Sequence, residues 1–261
     1  PPVMITDNTQ LTRDEFTDKP TILIDREPDS PAAITMGFGD FPDVLYIYGS
    51  RYRVNFIRIA TFMFSKDVDE LRTYQMDLRQ VISDNAIRDM MAEEDGKLIR
   101  SVNNALIGLD QVIAQTGVAQ HIQINDVISR ESLWESLKTM PTAPTNLEPH
   151  TILLNQLTIK DVGKLTFSQM GGPLAEEIMR NGWTLQTFLG KQWVITIKKG
   201  LVPTGTMYHF ADPTFIGKHF QLSDTVMWVK REGPMVYWYA YETVGGAIGN
   251  LGGLARVDFT G

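Results

Sequence analysis

The stretch AEEDGKLIRSV, residues 92–102, places three carboxylates, Glu93, Glu94 and Asp95, in consecutive positions. Carboxylates can ligate a hard cation, or act as general acid and base, when two of them reach the same point. Consecutive residues of a helix point about 100° apart, whereas side chains that cooperate lie three or four residues apart. The spacing therefore favours a solvated or structural role for these carboxylates, with Glu93 paired to Lys97 on the helix surface.

The other residue types that could carry catalysis or bind metal are scattered along the chain. The four histidines lie far apart: His121, His150, His209 and His219. A metal site would have to assemble in space, so we interpret each histidine as structural or exposed. The chain has no cysteine, which excludes thiolate nucleophiles and cysteine-ligated zinc. The glycine-rich segments at 200–207 and 245–253 lack the residues of a phosphate or dinucleotide loop. We predict neither an enzyme nor a bound cofactor.

Length and charge narrow the class of protein. A chain of 261 residues with 43% hydrophobic residues can build one large or two modest domains. Its formal net charge of -7 argues against tight electrostatic binding to nucleic acid, which needs a basic face. The most apolar long stretch, residues 235–255, contains Glu242 and five glycines and would make a poor membrane-spanning helix. We expect a soluble protein.

The aromatic run at 227–241 raises one nucleic-acid alternative. Aromatic side chains interleaved with basic residues can form a platform on which the bases of a single strand stack. The basic residues here are Lys230 and Arg231, which stand together at a predicted turn. A hydrophobic layer of a sheet is the better explanation for this run.

The elements that would position these side chains begin with an extended arm at residues 1–33. The arm holds five of the thirteen prolines, and its strand-like run is TILI at 21–24. Residues 32–64 then predict a long hairpin, in which VLYIY at 44–48 pairs with the run at 51–64. An isolated two-stranded ribbon is marginal in water, so the hairpin needs a surface to pack on.

The sequence offers two positions for the tip of this hairpin. One is a two-residue turn at Gly49-Ser50, and the other is the glycine-rich segment at 37–42. Alternation along the returning strand places one set of side chains on a common face: Tyr52, Val54, Phe56, Ala60, Phe62 and Phe64.

A very long helix is predicted after the hairpin, from the N-cap Asp67 to about Ile113. Glu70 stands three residues after the cap, as in a capping box, and an apolar stripe follows. Gly96 and Gly108 are the positions where the helix could bend or be interrupted. The remainder predicts a mixed α/β segment at 114–190 and then a strand-rich segment with a hairpin turn at 231–234.

The run from Tyr52 to Ile99, in which a returning strand leads into a helix with a Glu-Asp pair, resembles the extended loop and spine helix of tailed-bacteriophage major capsid proteins. That family has the Hong Kong 97-like fold, which encapsulins share. Residues 189–222 are similar to a later region of the family, and residues 243–259 resemble its final strand pair.

The resemblance implies an α+β chain with the Hong Kong 97-like capsid fold, divided into an N-terminal arm, an extended β-hairpin loop, a long spine helix, and peripheral and axial domains. The boundaries that it implies are these: the arm at 1–33, the extended loop at 34–64, the spine helix with the first part of the peripheral domain at 65–118, a mainly axial segment at 119–222, and C-terminal strands returning to the peripheral domain at 223–261.

The function implied is structural. Copies of the chain would form the hexamers and pentamers of an icosahedral shell in the virion, assembled in the bacterial cytoplasm. The shell would enclose double-stranded DNA without sequence-specific binding, and portal or decoration proteins would be further partners. One alternative is an encapsulin-type shell around protein cargo. Another, of a different class, is a soluble α/β hydrolase or ligand-binding domain.

Contacts between subunits are predicted at seven residues of the hairpin and the helix: Tyr46, Tyr48, Arg51, Tyr52, Arg53, Glu94 and Asp95. A carboxylate of the spine helix can hold a neighbouring segment or subunit through charge-assisted hydrogen bonds. Some members of the family join subunits by a covalent bond between a loop lysine and an asparagine. Asn250 has a plausible position for the partner, but residues 20–65 contain no lysine, so we predict no such crosslink.

Overall fold

The structure is a computed structural model that describes residues 5–7, 18–26, 35–41, 50–74, 78–116, 120–142, 146–162, 187–188, 190–198 and 200–261. Within these residues the strands are β1 (Ile5–Asp7), β2 (Thr21–Arg26), β3 (Ser50–Asn55), β4 (Ile57–Ala60), β5 (Phe64–Asp67), β6 (His121–Ile124), β7 (Thr151–Asn155), β8 (Thr187–Phe188), β9 (Lys191–Thr196), β10 (Thr206–Phe210), β11 (Gly217–Glu232), β12 (Met235–Ile248) and β13 (Leu254–Phe259). The helices are α1 (Val68–Thr73), α2 (Leu78–Thr116), α3 (Arg130–Lys138), α4 (Gln156–Val162) and α5 (Pro213–Ile216).

A five-stranded sheet is built around the long hairpin of β11 and β12. The strand order is β1-β11-β12-β4, and β5 also pairs with β12 beyond β4. The two long strands run antiparallel and are joined at Gly233, whose φ of 59° suits a tight hairpin turn. The turn predicted at 231–234 is therefore confirmed.

A six-stranded sheet, in the order β6-β13-β10-β7-β9-β8, forms the second layer. All five residues of its middle strand β10 are buried, because the sheet is covered on both faces. Tyr208 and Phe210 face one hydrophobic cluster, whereas Met207 packs with Leu133 of α3 and Ile159 of α4 in another. The strands and helices predicted between 114 and 162 are found here.

Helix α2 connects the two sheets. Its 39 residues span about 58 Å at 1.5 Å per residue. Ala86 and Met90 in its first half pack against β12 and β4, and Ile99, Val102 and Leu106 in its second half pack against the six-stranded sheet. Among the described residues, no helix is long and apolar enough to cross a membrane.

The single helix predicted from Asp67 is two helices. Asp67 is the N-cap, as predicted, and its carboxylate accepts a hydrogen bond from the backbone N–H of Asp69 at 2.8 Å. The first helix nevertheless ends where Tyr74 adopts an extended conformation, with ψ of 130°. Gly96 and Gly108 lie inside α2 and do not interrupt it.

The described part of the extended hairpin pairs two strands. Strand β2 pairs antiparallel with β3, with Arg26 opposite Ser50. Ser50 is thus a strand residue, which excludes a turn at Gly49-Ser50, and the TILI run belongs to the hairpin rather than to a free arm. The alternative reversal is seen as a turn, in which the Asp40 N–H donates to the Gly37 carbonyl at 3.3 Å. The strand predicted at 44–48 lies outside the described residues.

The strand predicted at 51–64 is divided at Phe56. Before Phe56, Val54 is buried between exposed neighbours, as the alternation predicts. After Phe56, the buried residue is Ile59 and not Ala60, so the alternation of buried and exposed side chains shifts by one residue. β4 and β5 leave the hairpin and pair with β12.

The segment boundaries predicted for the C-terminal part of the chain do not coincide with the boundaries of the two large sheets. The boundary at 222/223 falls inside β11, and β13 lies in the six-stranded sheet.

Candidate functional site

Glu94, in the middle of α2, joins the helix to the five-stranded sheet. Its Oε1 lies 3.0 Å from Nε2 of His219 in β11, and His219 is 8% exposed. The contact with the His219 imidazole is the main reason that the pKa of Glu94 lies below its ordinary value, and it outweighs the opposing effect of burial. The pair fixes one face of the helix to β11.

Asp95 joins the same turn of α2 to the other sheet. Its Oδ2 forms an ion pair with Nζ of Lys198, which follows β9. The same ammonium group donates to the backbone carbonyl of Met91 at 3.2 Å. Two consecutive carboxylates thus hold segments of two different sheets, because their side chains point about 100° apart on the helix.

The neighbouring acidic residue takes no part in either contact. Glu93 binds Arg100, with Oε1 3.0 Å from the guanidinium nitrogen, and both side chains are well exposed. The predicted pairing of Glu93 with Lys97 is therefore wrong, although the predicted surface role of Glu93 is correct.

A cavity of about 320 Å³ opens beside the Glu94–His219 pair. It lies between α2, the end of β3 with β4, and the glycine-rich end of β12. Ser101 lines the same cavity, but the described contacts include no hydrogen bond between Ser101 and His219. His219 is paired with the carboxylate of Glu94 at the edge of this cavity.

A second polar cluster lies where α2 meets the six-stranded sheet. Asp258 accepts hydrogen bonds from Thr206 at 2.7 Å and from Arg256 at 3.1 Å, and it contacts His121 at 2.7 Å. Burial opposes ionisation of Asp258, yet these hydrogen bonds together lower its pKa. Arg256 also donates to Asn103 of α2 at 3.3 Å. The cluster ties the helix to β13 and β10.

The four histidines occupy separate environments. His121 and His219 each bind a carboxylate, His150 is exposed, and His209 is fully buried without a hydrogen-bond partner. Among the described residues, no group of three or more His, Cys, Asp or Glu side chains could hold a metal ion.

The residues predicted for subunit contacts on the hairpin are partly described. Arg51 pairs with Asp25 across the two strands at 2.6 Å, and both side chains are exposed. Tyr52 packs with Ile24 at the base of the hairpin, and its burial raises the pKa of its hydroxyl. Arg53 is exposed on the same face as Arg51. Tyr46 and Tyr48 lie outside the described residues.

The aromatic run has two faces. Val236, Trp238 and Ala240 are buried, and Ala240 packs with Ala86 and Met90 of α2, which confirms the predicted hydrophobic layer. The opposite face of the sheet carries a row of half-buried aromatic rings with one guanidinium group. We call this the tyrosine face: Arg58, Trp228, Tyr237, Tyr239 and Tyr241.

Ring contacts organise the tyrosine face. The ring centroids of Trp228 and Tyr239 are 5.0 Å apart, and those of Tyr239 and Tyr241 are 5.7 Å apart. The Arg58 guanidinium lies 5.1 Å from the centroid of Tyr241. The period-two pattern of residues 236–241 was a signal for this face that our sequence interpretation did not use. Nothing local in the sequence identified His219 or Lys198, which lie more than 100 positions beyond their partners.

Comparisons with known proteins give likenesses of structure alone. The chain matches no protein-family model and no curated protein. A capsid structure of the cyanophage P-SCSP1u aligns with a TM-score of 0.66 and 8% identity, covering 99% of this chain and 86% of that chain. A structure from Microbacterium phage Oxtober96 aligns with a TM-score of 0.69 and 9% identity, covering 99% and 90%.

A virus-like particle from Pyrococcus furiosus is also similar. It aligns with a TM-score of 0.57 and 13% identity, covering 98% of this chain and 90% of that chain. These alignments extend over nearly the whole chain, so they concern the complete arrangement of elements. The chain has the fold of these structures, which include a phage capsid, and the predicted α+β class with a capsid fold is confirmed.

Proposed function

We propose that this chain is the major capsid subunit of a tailed, double-stranded DNA phage. The observation that carries the proposal is the likeness to a phage capsid structure over 99% of the chain. Copies of the chain would form hexamers and pentamers and close into an icosahedral shell. The protein would be a non-enzymatic component of the virion, assembled in the bacterial cytoplasm.

Exposed apolar side chains support an assembling protein. Phe41 in the turn at 35–41 is 92% exposed, and Phe62 between β4 and β5 is 88% exposed. Apolar groups in such numbers on extended segments are typical of surfaces that become buried in a partner. In a closed shell each subunit would bury them against several neighbours.

We keep the hairpin as the main contact element of the proposal. Arg51, Tyr52 and Arg53, with Tyr46 and Tyr48, would lie against an adjacent subunit. Glu94 and Asp95 already have partners in their own chain. Their role in the shell would be to keep α2 aligned with both sheets, which we assign to the peripheral domain (five-stranded) and the axial domain (six-stranded).

The acidic chain suits a container for DNA. A net charge of -7 would let the shell enclose the genome without binding it tightly. Portal and decoration proteins would be the other partners. We expect no covalent link between subunits, and Asn250 has a structural role, since its Oδ1 accepts a hydrogen bond from the Gly252 N–H at 2.9 Å.

An encapsulin-type shell around protein cargo is the second candidate. The likeness to the Pyrococcus furiosus virus-like particle favours keeping it. Nuclease-protected DNA recovered with native particles would support the phage capsid, and co-purifying protein cargo without DNA would support the encapsulin type.

Negative-stain electron microscopy with sedimentation of the purified chain tests the proposal. We expect closed shells, or hexameric and pentameric rings. Denaturing electrophoresis of the particles should give a single band at the subunit mass. A stable monomer over a wide range of salt and protein concentrations would contradict the shell proposal.

A further inference from the structure

The cavity beside the Glu94–His219 pair has room for a small molecule. Its volume of about 320 Å³ lies at the lower end of the range of roughly 300–1,000 Å³ in which proteins bind small ligands. One wall is α2, and the others are the end of β3 with β4 and the glycine-rich end of β12. A molecule in this cavity would contact the helix, the base of the hairpin and the five-stranded sheet at once.

Three polar side chains of the cavity have no partner in the part of the chain that the structure describes. Lys97 and Ser101 lie one turn apart on α2, and Asn55 is the last residue of β3. No hydrogen bond or ion pair joins any of these three side chains to another described residue. Lys97 is partly buried, so its ammonium group would attract an anion more strongly than it would in open water.

The acidic residue of the cavity is engaged elsewhere. Glu94 stands three residues before Lys97 on α2, but its Oε1 lies 3.0 Å from Nε2 of His219. The described contacts include no ion pair between Glu94 and Lys97. An ammonium group has three hydrogen-bond donors and no acceptor. Lys97 can therefore offer its donors to a ligand that carries acceptor oxygens.

The backbone of β12 adds hydrogen-bonding groups to the wall. β4 pairs with β12 as far as Val244, which lies opposite Ile57, and the next two residues, Gly245 and Gly246, line the cavity. Both glycines pair with β11 in an antiparallel ladder, in which successive residues turn their N–H and C=O groups to opposite sides. One of the two glycines thus presents its backbone groups on the side where the pairing with β4 has ended.

The remaining lining of the cavity is largely apolar. Ile59 of β4, Leu98 of α2 and Val244 and Ile248 of β12 all contribute to it. A polar group buried against such walls without a hydrogen bond costs free energy. The division of the cavity into polar and apolar parts therefore favours a ligand with an anionic head and an apolar chain.

We propose that this cavity is a binding site for a small carboxylic acid with an apolar chain. The Lys97 ammonium binds the carboxylate, Ser101 and Asn55 are further donors, and the chain packs on Leu98 and Val244. The site goes beyond the proposed shell function, because one subunit contains all of it. A bound acid joins α2 to the base of the hairpin.

Octanoate is the probe for this site, with octylamine and octanol as molecules of equal chain length whose head groups are cationic and neutral. Isothermal titration calorimetry on the purified full chain measures the three dissociation constants. Octanoate should bind at least about tenfold more tightly than either of the others, since hydrogen bonds between ionised groups are about twice as strong as neutral ones. Equal affinities, or no binding of octanoate, would overturn the inference. Neither outcome bears on whether the chain assembles into shells.

Variants of α2 locate the bound acid. Lys97→Met keeps the length of the side chain without its charge and should weaken octanoate binding at least about tenfold while leaving octanol binding unchanged. Lys160→Met is the matched control, since Lys160 is an exposed cation of α4 outside the cavity. Equal losses for the two lysine variants would indicate an effect of net charge and contradict the site.

A third variant closes the cavity without removing a charge. Ser101 lines the cavity from an exposed position of α2, so Ser101→Phe can fill its opening while the buried face of the helix is unchanged. Octanoate binding should be lost in this variant, and urea unfolding should match the unsubstituted chain. Binding that persists in Ser101→Phe would place octanoate elsewhere on the protein and overturn the assignment.

Discussion

The six-stranded sheet and the turn at 35–41 differ in how far their side chains are buried. In β10 every side chain is buried, and both faces are covered by elements of the same chain. In the turn at 35–41 every residue is exposed, including two phenylalanines. The first region is buried within one chain, whereas the apolar side chains of the second region would be buried only by a partner. Stability should therefore depend on the first region and assembly on the second.

Truncation of a ring in the sheet is the largest expected effect. Phe210→Ala removes a fully buried side chain from the cluster beside α2 and should lower the free energy of unfolding by about 3 to 5 kcal/mol. Urea denaturation followed by circular dichroism measures it. Phe38→Ala is the matched control, and its stability should stay within about 0.5 kcal/mol of the unsubstituted chain. Equal losses for the two variants would abolish the contrast between the regions.

Acidification should weaken the same sheet through His209. Complete burial lowers the pKa of its imidazole to about 4, against an ordinary value of 6.5. The unfolded chain then binds more protons than the folded chain between these values, so stability falls as the pH is lowered from about 6.5 to about 4. The loss from this group should approach about 3 kcal/mol near pH 4.

His209→Leu removes the titrating group and keeps an apolar side chain of comparable size. The difference between pH 7 and pH 4 in the urea midpoint should shrink in this variant. An unchanged pH dependence would mean that other groups, such as the carboxylates that bind His121 and His219, control the acid sensitivity.

A smaller effect is expected where α2 meets the five-stranded sheet. Glu94→Gln removes the charge that holds the buried His219 and should cost about 1 to 2 kcal/mol. The folded-state pKa of Glu94 is lowered, so its contribution is present above the ordinary pKa of glutamate and is lost as the pH falls through the folded value. A double-mutant cycle with His219→Asn isolates the pair, and a coupling energy near zero would contradict the contact.

Sequence patterns predicted the parts of the fold that depend on local chemistry. The N-cap at Asp67, the hairpin turn at Gly233 and the inward face at 236–240 follow from capping, turn geometry and alternation. The strand partners could not be predicted in this way. The pairing of TILI with the strand at 51–55 was not predicted, since local pattern does not specify register between distant segments.

In the candidate site, too, local geometry was predicted from the sequence and long-range partners were not. Helical geometry predicted that the carboxylates at 93–95 could not converge, and they do not. Their partners, His219 and Lys198, come from two sheets that are defined by long-range pairing. The tyrosine face was missed for a different reason. Its aromatic residues were interpreted as one layer, although alternation divides them between two faces of the sheet.

The smallest effect on stability is expected for a substitution in the hairpin. Such a substitution best separates the region on which stability depends from the region on which assembly depends. Arg51 and Asp25 form an ion pair whose side chains are 70% and 79% exposed, so solvent screens it and Arg51→Gln should change the free energy of unfolding by less than about 0.5 kcal/mol. If the hairpin lies against another subunit in the shell, the same substitution should raise the protein concentration needed for assembly, because the guanidinium loses water and gains a partner there. Lys160→Gln tests whether this is a general effect of charge, since Lys160 is an exposed cation of α4. Light scattering against protein concentration compares the two variants. Equal shifts would indicate a change in net charge alone, and a larger shift for Arg51→Gln would place the hairpin in the contact.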